Sequence, residues 1–336
     1  MTAPRALILG CAGPALTPDE RAFFADADPW GFILFARNIE TPDQTRALTD
    51  GLRDAVGRDA PVLIDQEGGR VARMRAPHWR TFPAAMAETE GRTLSQAAEA
   101  LVLRYRLIAD DLRSVGVDVN CAPLLDVASR RLHDAIGDRA LGRDPASVAA
   151  LGHAVRRGLR AGGVLPVVKH LPGYGRAEVD PHAALPVIRE SRDHLEWDFA
   201  PFRAHADALM GMTAHLVLTA IDDEYPATCS GPCVDLIRED IGFDGLLMTD
   251  DISMDALAGG VGERTRASLD AGCDVVLHCN GERAEMEEAA AAAGLLAGEA
   301  LRRARAVDAA PRTIDEMDLG EVERRYRALG RETCDA

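Results

Sequence analysis

Val164-Leu165-Pro166-Val167-Val168-Lys169-His170 is a short apolar run that ends in an ammonium and an imidazole. Five apolar residues are too few for a helix face and suit a strand covered on both sides, as in a parallel sheet. The polar pair then sits at the strand's C-terminal end. Outward from this stretch the same unit recurs, in runs at 6–10, 31–35, 61–64, 117–122, 164–168, 210–217, 246–249 and 273–277. Amphipathic segments rich in Ala, Arg and Glu lie between them, each long enough for a crossover helix. Eight such repeats predict an α/β chain folded as a single (β/α)8 TIM barrel over residues 1–310, with 311–336 as a tail that packs on or extends it.

Helix starts support this count. Thr17-Pro18-Asp19-Glu20 and Thr41-Pro42-Asp43-Gln44 each offer a Thr N-cap, a Pro at the first position and an acid or amide at the third. Later helices are expected at about 95–115, 146–161, 192–208, 232–241, 262–271 and 283–305. Gly259-Gly260-Val261-Gly262 lacks the Lys-Ser/Thr pair of a phosphate loop and reads as an ordinary turn.

Composition excludes several partners. The 336 residues are 47% hydrophobic, with a net charge of −16 and a pI near 5.0, so phosphate backbones and anionic lipid are repelled. No window approaches the roughly 20 apolar residues of a membrane span. Ile8-Leu9-Gly10-Cys11 is preceded by too short an apolar run for a signal peptide and reads as a first strand. Seven cysteines, at 11, 121, 229, 233, 273, 279 and 334, are scattered and never form a CxxC pair. That pattern fits a reducing cytoplasm and neither a disulfide framework nor a zinc site.

The residues that follow the apolar runs are strongly polar. Asp65-Gln66-Glu67-Gly68-Gly69-Arg70 follows the third run, Asn120 lies in the fourth, Lys169-His170 ends the fifth, His215 lies in the sixth, and Asp250-Asp251 ends the seventh. One charged strand end is easily a helix cap, but five converging on one barrel face make a shared site. Asp250 is positioned to attack as a nucleophile, whereas Asp251 has an alternative use as a helix N-cap and is read as support. Lys169 is the only lysine, the other 37 of the 38 basic residues being arginine. A compact ammonium is therefore expected to be required there. Asp180-Pro181-His182 sets an acid two residues before an imidazole, so the carboxylate can hold one ring nitrogen of a proton donor that works near neutrality.

Taken together, Gly31-Phe-Ile-Leu-Phe-Ala-Arg-Asn38, Asp65-Gln-Glu-Gly-Gly-Arg-Val-Ala-Arg73, Asn120-Cys-Ala-Pro-Leu-Leu-Asp126, Ile136-Gly-Asp-Arg139, Lys169 to His182, Met212-Thr-Ala-His215, Thr249-Asp-Asp-Ile-Ser-Met254 and Ala271-Gly-Cys-Asp274 closely resemble the family 3 glycoside hydrolases. The resemblance is to the bacterial cytoplasmic β-N-acetylglucosaminidases that recycle peptidoglycan fragments. It implies a retaining mechanism in which Asp250 attacks the anomeric carbon and His182, oriented by Asp180, protonates the leaving oxygen and later activates water. It also implies that Asp65, Arg73, Arg139, Lys169 and His170 bind the sugar. The expected substrate is a GlcNAc-containing muropeptide, with no metal or organic cofactor. This chain departs from the family pattern at Tyr174, where a His is usual, and at Pro181, where a Ser is usual. Two rival readings are a phosphorylase, because a His acid/base does not repel phosphate, and a silent sugar-binding barrel.

Overall fold

A computed structural model of the chain describes residues 3–129, 136–177 and 184–330. In chain order its strands are β1 Arg5–Leu9, β2 Pro29–Leu34, β3 Val62–Ile64, β4 Val119–Asn120, β5 Leu165–Pro166, β6 Val168–Leu171, β7 Val187–Ile188, β8 Met210–Thr213, β9 Val217–Leu218, β10 Leu246–Asp251 and β11 Val275–His278. The helices are α1 Pro18–Ala27, α2 Pro42–Val56, α3 Ala85–Thr89, α4 Leu94–Ser114, α5 Pro145–Ala161, α6 Arg192–Ala204, α7 Gly231–Asp235, α8 Val261–Asp270, α9 Arg283–Ala292, α10 Gly298–Asp308 and α11 Leu319–Ala328.

The main sheet is all parallel, in the order β5-β4-β3-β2-β1-β11-β10-β8-β6. Only Val167 separates the two strands at its ends, so β5 and β6 are halves of one stave. One half pairs with β4 (Leu165 opposite Val119) and the other with β8 (Val168 opposite Gly211), which closes the sheet into the expected (β/α)8 barrel. Ile8, Trp30, Ile33, Leu63, Val119, Val167, Met210, Leu246 and Val275 belong to one buried cluster on these staves. Because every stave is covered on both faces, its sequence reads as a continuous apolar run.

Both Thr-Pro starts are capping boxes, with Thr17 Oγ1 accepting from the Glu20 amide at 3.1 Å and Thr41 Oγ1 from the Gln44 amide at 3.3 Å. Each such cap contributes about 0.5–2 kcal/mol. Three expected elements differ. The run at 283–305 is two helices, because the backbone between α9 and α10 turns to serve β1: Ala6 donates to the Gly294 carbonyl at 3.0 Å and Leu296 to that of Pro4 at 2.8 Å. The run at 210–217 divides into β8 and β9, and β9 pairs with β7 in a separate two-stranded parallel sheet. The helix expected at 232–241 starts as α7 and continues as a π turn over Leu236–Asp240. Beyond 310, α11 lies against α4 and buries Tyr326 completely.

Candidate active site

Strand β3 ends at Ile64, and the next residues leave the barrel in an extended path pinned through Gln66. Its backbone amide donates to Asn120 Oδ1 at 3.0 Å, and its side-chain oxygen accepts from the amides of Arg73 (2.8 Å) and Met74 (3.1 Å). With Gln66 turned into the loop, Asp65 lines the cleft and Glu67, on the same side of the extended segment, is buried beside it. There they meet Lys169, delivered by β6. Its Nζ lies 2.8 Å from Asp65 Oδ1 and 2.7 Å from Glu67 Oε1. Arg139 holds Glu67 with two bonds, of 2.9 and 2.7 Å, and Arg73 Nη2 donates to Asp65 Oδ2 at 3.2 Å.

Burying these charges works against each of them, and the neighbours outweigh that cost. Burial disfavours the Lys169 ammonium, yet Asp65 and Glu67 hold its pKa above the ordinary lysine value. Burial likewise favours protonation of Glu67, yet Arg139 and Lys169 hold it far below the usual carboxylate range. Asp65 is lowered in the same way by Lys169 and Arg73. The result is a cluster whose charges are fixed and mutually satisfied. Arg73 also stacks its guanidinium over Phe35, 5.1 Å from the ring centroid.

The opposite side is built by β6, β8 and β10. Strand β10 presents Asp250, whose Oδ1 accepts the Asp251 amide at 2.8 Å. Burial would raise its pKa, but His170, His215, that amide and Lys169 together lower it, so it is ionised at neutral pH. His215 is fully buried. Its Nε2 lies 2.9 Å from the Asp251 carbonyl and its Nδ1 2.8 Å from Thr228 Oγ1. A carbonyl can only accept, so Nε2 carries a hydrogen, while Nδ1 meets the Thr228 hydroxyl, which also donates to the Ala214 carbonyl at 3.2 Å. Burial lowers the pKa of His215, which favours the neutral ring. His170 Nδ1 is 2.7 Å from Asp126 Oδ2, and Asp126 also accepts the Tyr174 amide at 2.6 Å.

Asp251 is engaged otherwise. Its carboxylate accepts the amides of Ser253 (3.0 Å) and Cys279 (3.1 Å) and the Ser253 hydroxyl at 2.7 Å. It caps a turn, and no helix follows it until α8.

Asp65, Arg73, Arg139, Lys169, His170 and Asp250 therefore line one cleft of about 360 Å³ at the C-terminal mouth of the barrel, with Phe35, Ile136, Met212, Met254 and Leu277 supplying apolar walls. Tyr174 lines it too, its ring edge-on to His170 at 5.9 Å. Asp180 and His182 lie outside the described residues. Sequence reasoning passed over Glu67 and Asp126, although both stand in motifs it used. The spacing of Glu67 two residues from Asp65 on an extended segment was the available signal. Such a cleft, with an ionised carboxylate across from a rigid set of donors and acceptors, can hold one polyhydroxylated ring and attack it.

Residues 15–314 match the model of the glycosyl hydrolase family 3 N-terminal domain. The chain is 39% identical over 281 residues to a beta-hexosaminidase of Alkalilimnicola ehrlichii, covering 82% of this chain and 80% of that protein. It is 36% identical over 292 residues to the beta-hexosaminidase of Pseudomonas aeruginosa PAO1, covering 85% of each. Among solved structures it is similar to NagZ from Neisseria gonorrhoeae in complex with N-trifluoroacetyl-D-glucosamine, at 30% identity and a TM-score of 0.85, over 98% of this chain and 96% of that one.

Proposed function

The chain belongs to glycosyl hydrolase family 3, and on that premise we propose that it is a β-N-acetylglucosaminidase acting on terminal β-linked GlcNAc. The observation that carries this reading is Asp250, held ionised in the wall of a one-sugar cleft that it shares with Asp65, Lys169 and Arg139. Support for the sugar comes from the hexosaminidases among its relatives and from the acylated glucosamine bound by the gonococcal structure.

In the proposed reaction Asp250 attacks the anomeric carbon as the bond to the leaving oxygen breaks, and His182, oriented by Asp180, gives that oxygen a proton. His182 then takes a proton from water, which attacks the anomeric carbon and releases the Asp250 carboxylate with overall retention. Asp65 accepts hydrogen bonds from sugar hydroxyls while Lys169, Arg139, Arg73 and His170 donate to the sugar's oxygens. The route uses only side chains and water. The natural substrate we propose is a GlcNAc-bearing muropeptide fragment met in the cytoplasm. Among the described residues no helix is long and apolar enough to cross a membrane.

The test is turnover of an aryl β-N-acetylglucosaminide beside the matching β-glucoside. Wild type should cleave the acetamido sugar selectively. Asp250→Ala should lose roughly 10³-fold or more in kcat, and His182→Ala should be strongly impaired. Normal turnover by Asp250→Ala would remove the nucleophile assignment. Sugar 1-phosphate formed in phosphate buffer would make the enzyme a phosphorylase, and binding of GlcNAc without any turnover would leave a sugar-binding barrel.

A further inference from the structure

The segment beyond residue 310 carries none of the motifs that resemble the family, and α11 lies outside the matched family region at 15–314. Yet it enters the interior. Tyr326 is fully buried, with its ring edge-on to Phe82 at 5.6 Å, and its hydroxyl donates to Glu88 Oε2. Glu88, on α3, is itself fully buried and sits between two guanidiniums, with Arg104 Nη1 at 3.7 Å and Arg92 Nη2 at 3.5 Å. Arg104, on α4, reaches on with Nη2 and donates to the backbone carbonyl of Glu67. Tyr105, next to it, donates its hydroxyl to the same carbonyl at 3.2 Å.

Glu67 is the residue whose carboxylate holds Lys169 and Arg139 in the cleft. Its carbonyl and its carboxylate thus connect the two ends of one polar chain running from the C-terminal helix to the cleft. The sequence makes room for this crossing at Gly68, with φ +101, where a Cβ would stand 2.1 Å from Arg104 Nη2. The central link, Glu88 to Arg104, is an ion pair at 3.7 Å and not a hydrogen bond, and it is held because both side chains are fully buried and neither can turn to water.

We propose that Tyr326 is a positioning residue for the sugar pocket, acting through Glu88 and Arg104 on the backbone of Glu67 and so on Lys169 and Arg139. This rests on the reading of those two cations as sugar ligands. Removing the hydroxyl takes one partner from Glu88. Arg104 then follows Glu88, and the Glu67 carbonyl is left with the Tyr105 hydroxyl as its firm rear contact. Because Lys169 and Arg139 bind ground state and transition state alike, the loss falls on KM and leaves kcat nearly unchanged.

The experiment compares wild type, Tyr326→Phe, Glu88→Gln and Arg325→Gln on an aryl β-N-acetylglucosaminide, well below each variant's melting temperature. Arg325 lies on the same helix but pairs away from these buried links, with Glu99 at 2.7 Å on the surface. Tyr326→Phe is expected to raise KM roughly two- to tenfold with kcat within about twofold. Glu88→Gln, which keeps an acceptor for Tyr326 but drops the charge that holds Arg104, should give the same signature if Tyr326→Phe does not fold. Arg325→Gln should leave both constants alone. A fall in maximal rate at unchanged KM, or a change in melting temperature alone, would reduce Tyr326 to a structural anchor. If wild type turns over neither sugar, the functional reading fails, and the inference is decided by crystal structures of wild type and Tyr326→Phe. Displacement of the Glu67 carboxylate from Lys169 supports it, and a retained 2.7 Å contact overturns it.

Discussion

On the Lys169 side of the cleft two carboxylates and three cations satisfy one another at 2.7–3.2 Å, whereas on the other side Asp250 makes no ion pair that close among the described residues and faces imidazoles and one backbone amide. The first arrangement fixes charge. None of its members can lose or gain a proton without stranding a buried partner, which suits a receptor that must look the same before and after reaction. The second tolerates a change of charge. In the proposed reaction Asp250 would become a glycosyl ester and lose its negative charge, and a neutral His215 would not be left as an uncompensated cation. Proximity in one cleft therefore hides two electrostatic tasks.

The sharpest way to break this division is Glu67→Gln. Removing one member of a buried ion pair costs about 3–5 kcal/mol of stability, and here it should also raise KM more than it lowers kcat. Equal falls in kcat and kcat/KM would mean that the cluster acts on the transition state alone. A smaller effect is expected from His215→Asn, which loosens the residue whose amide holds Asp250. It should lower kcat about three- to tenfold with KM little changed, and a rise in KM instead would merge the two tasks.

The smallest effect is a pH dependence. Asp65 and Glu67 bind protons less readily folded than unfolded, because their pKa values are lowered. Their stabilisation is thus complete above the ordinary carboxylate range, about pH 4–4.5, and is withdrawn as pH falls below it toward the folded values. Unfolding midpoints followed from pH 6 downward should fall less steeply for Glu67→Gln. Asp250 is also lowered, so it stays charged above its ordinary value near 3.8 and cannot set an acid limb of kcat/KM found at higher pH. A limb near neutrality that shifts in a His182 variant belongs to the proton donor.

The eight staves were legible because burial on both faces leaves an apolar run, and the polar cleft at the barrel mouth because polar residues follow such runs. What stayed hidden depends on partners distant in sequence. The split of 283–305 is made by the edge of β1, more than 280 residues away, and Ala-rich composition gives no sign of it. Glu67 looked like one more acid in a motif until Lys169 and Arg139 were seen to share it. Asp126 reads as a loop residue and meets its partners His170 and Tyr174 only 44 and 48 positions on. Tyr326 and Glu88, 238 positions apart, carry no local pattern at all.

The solitary lysine has a practical consequence. Its side chain is 2% exposed and locked between two carboxylates as an ammonium, so it offers no free amine to acylating reagents. No other side chain in the chain can form such an amide. Succinimidyl dyes, biotin esters and amine cross-linkers should therefore leave every side-chain amine of the native protein unmodified. Should Lys169 become labelled in partly denaturing solvent, the extent of labelling would report directly how far the cleft has opened.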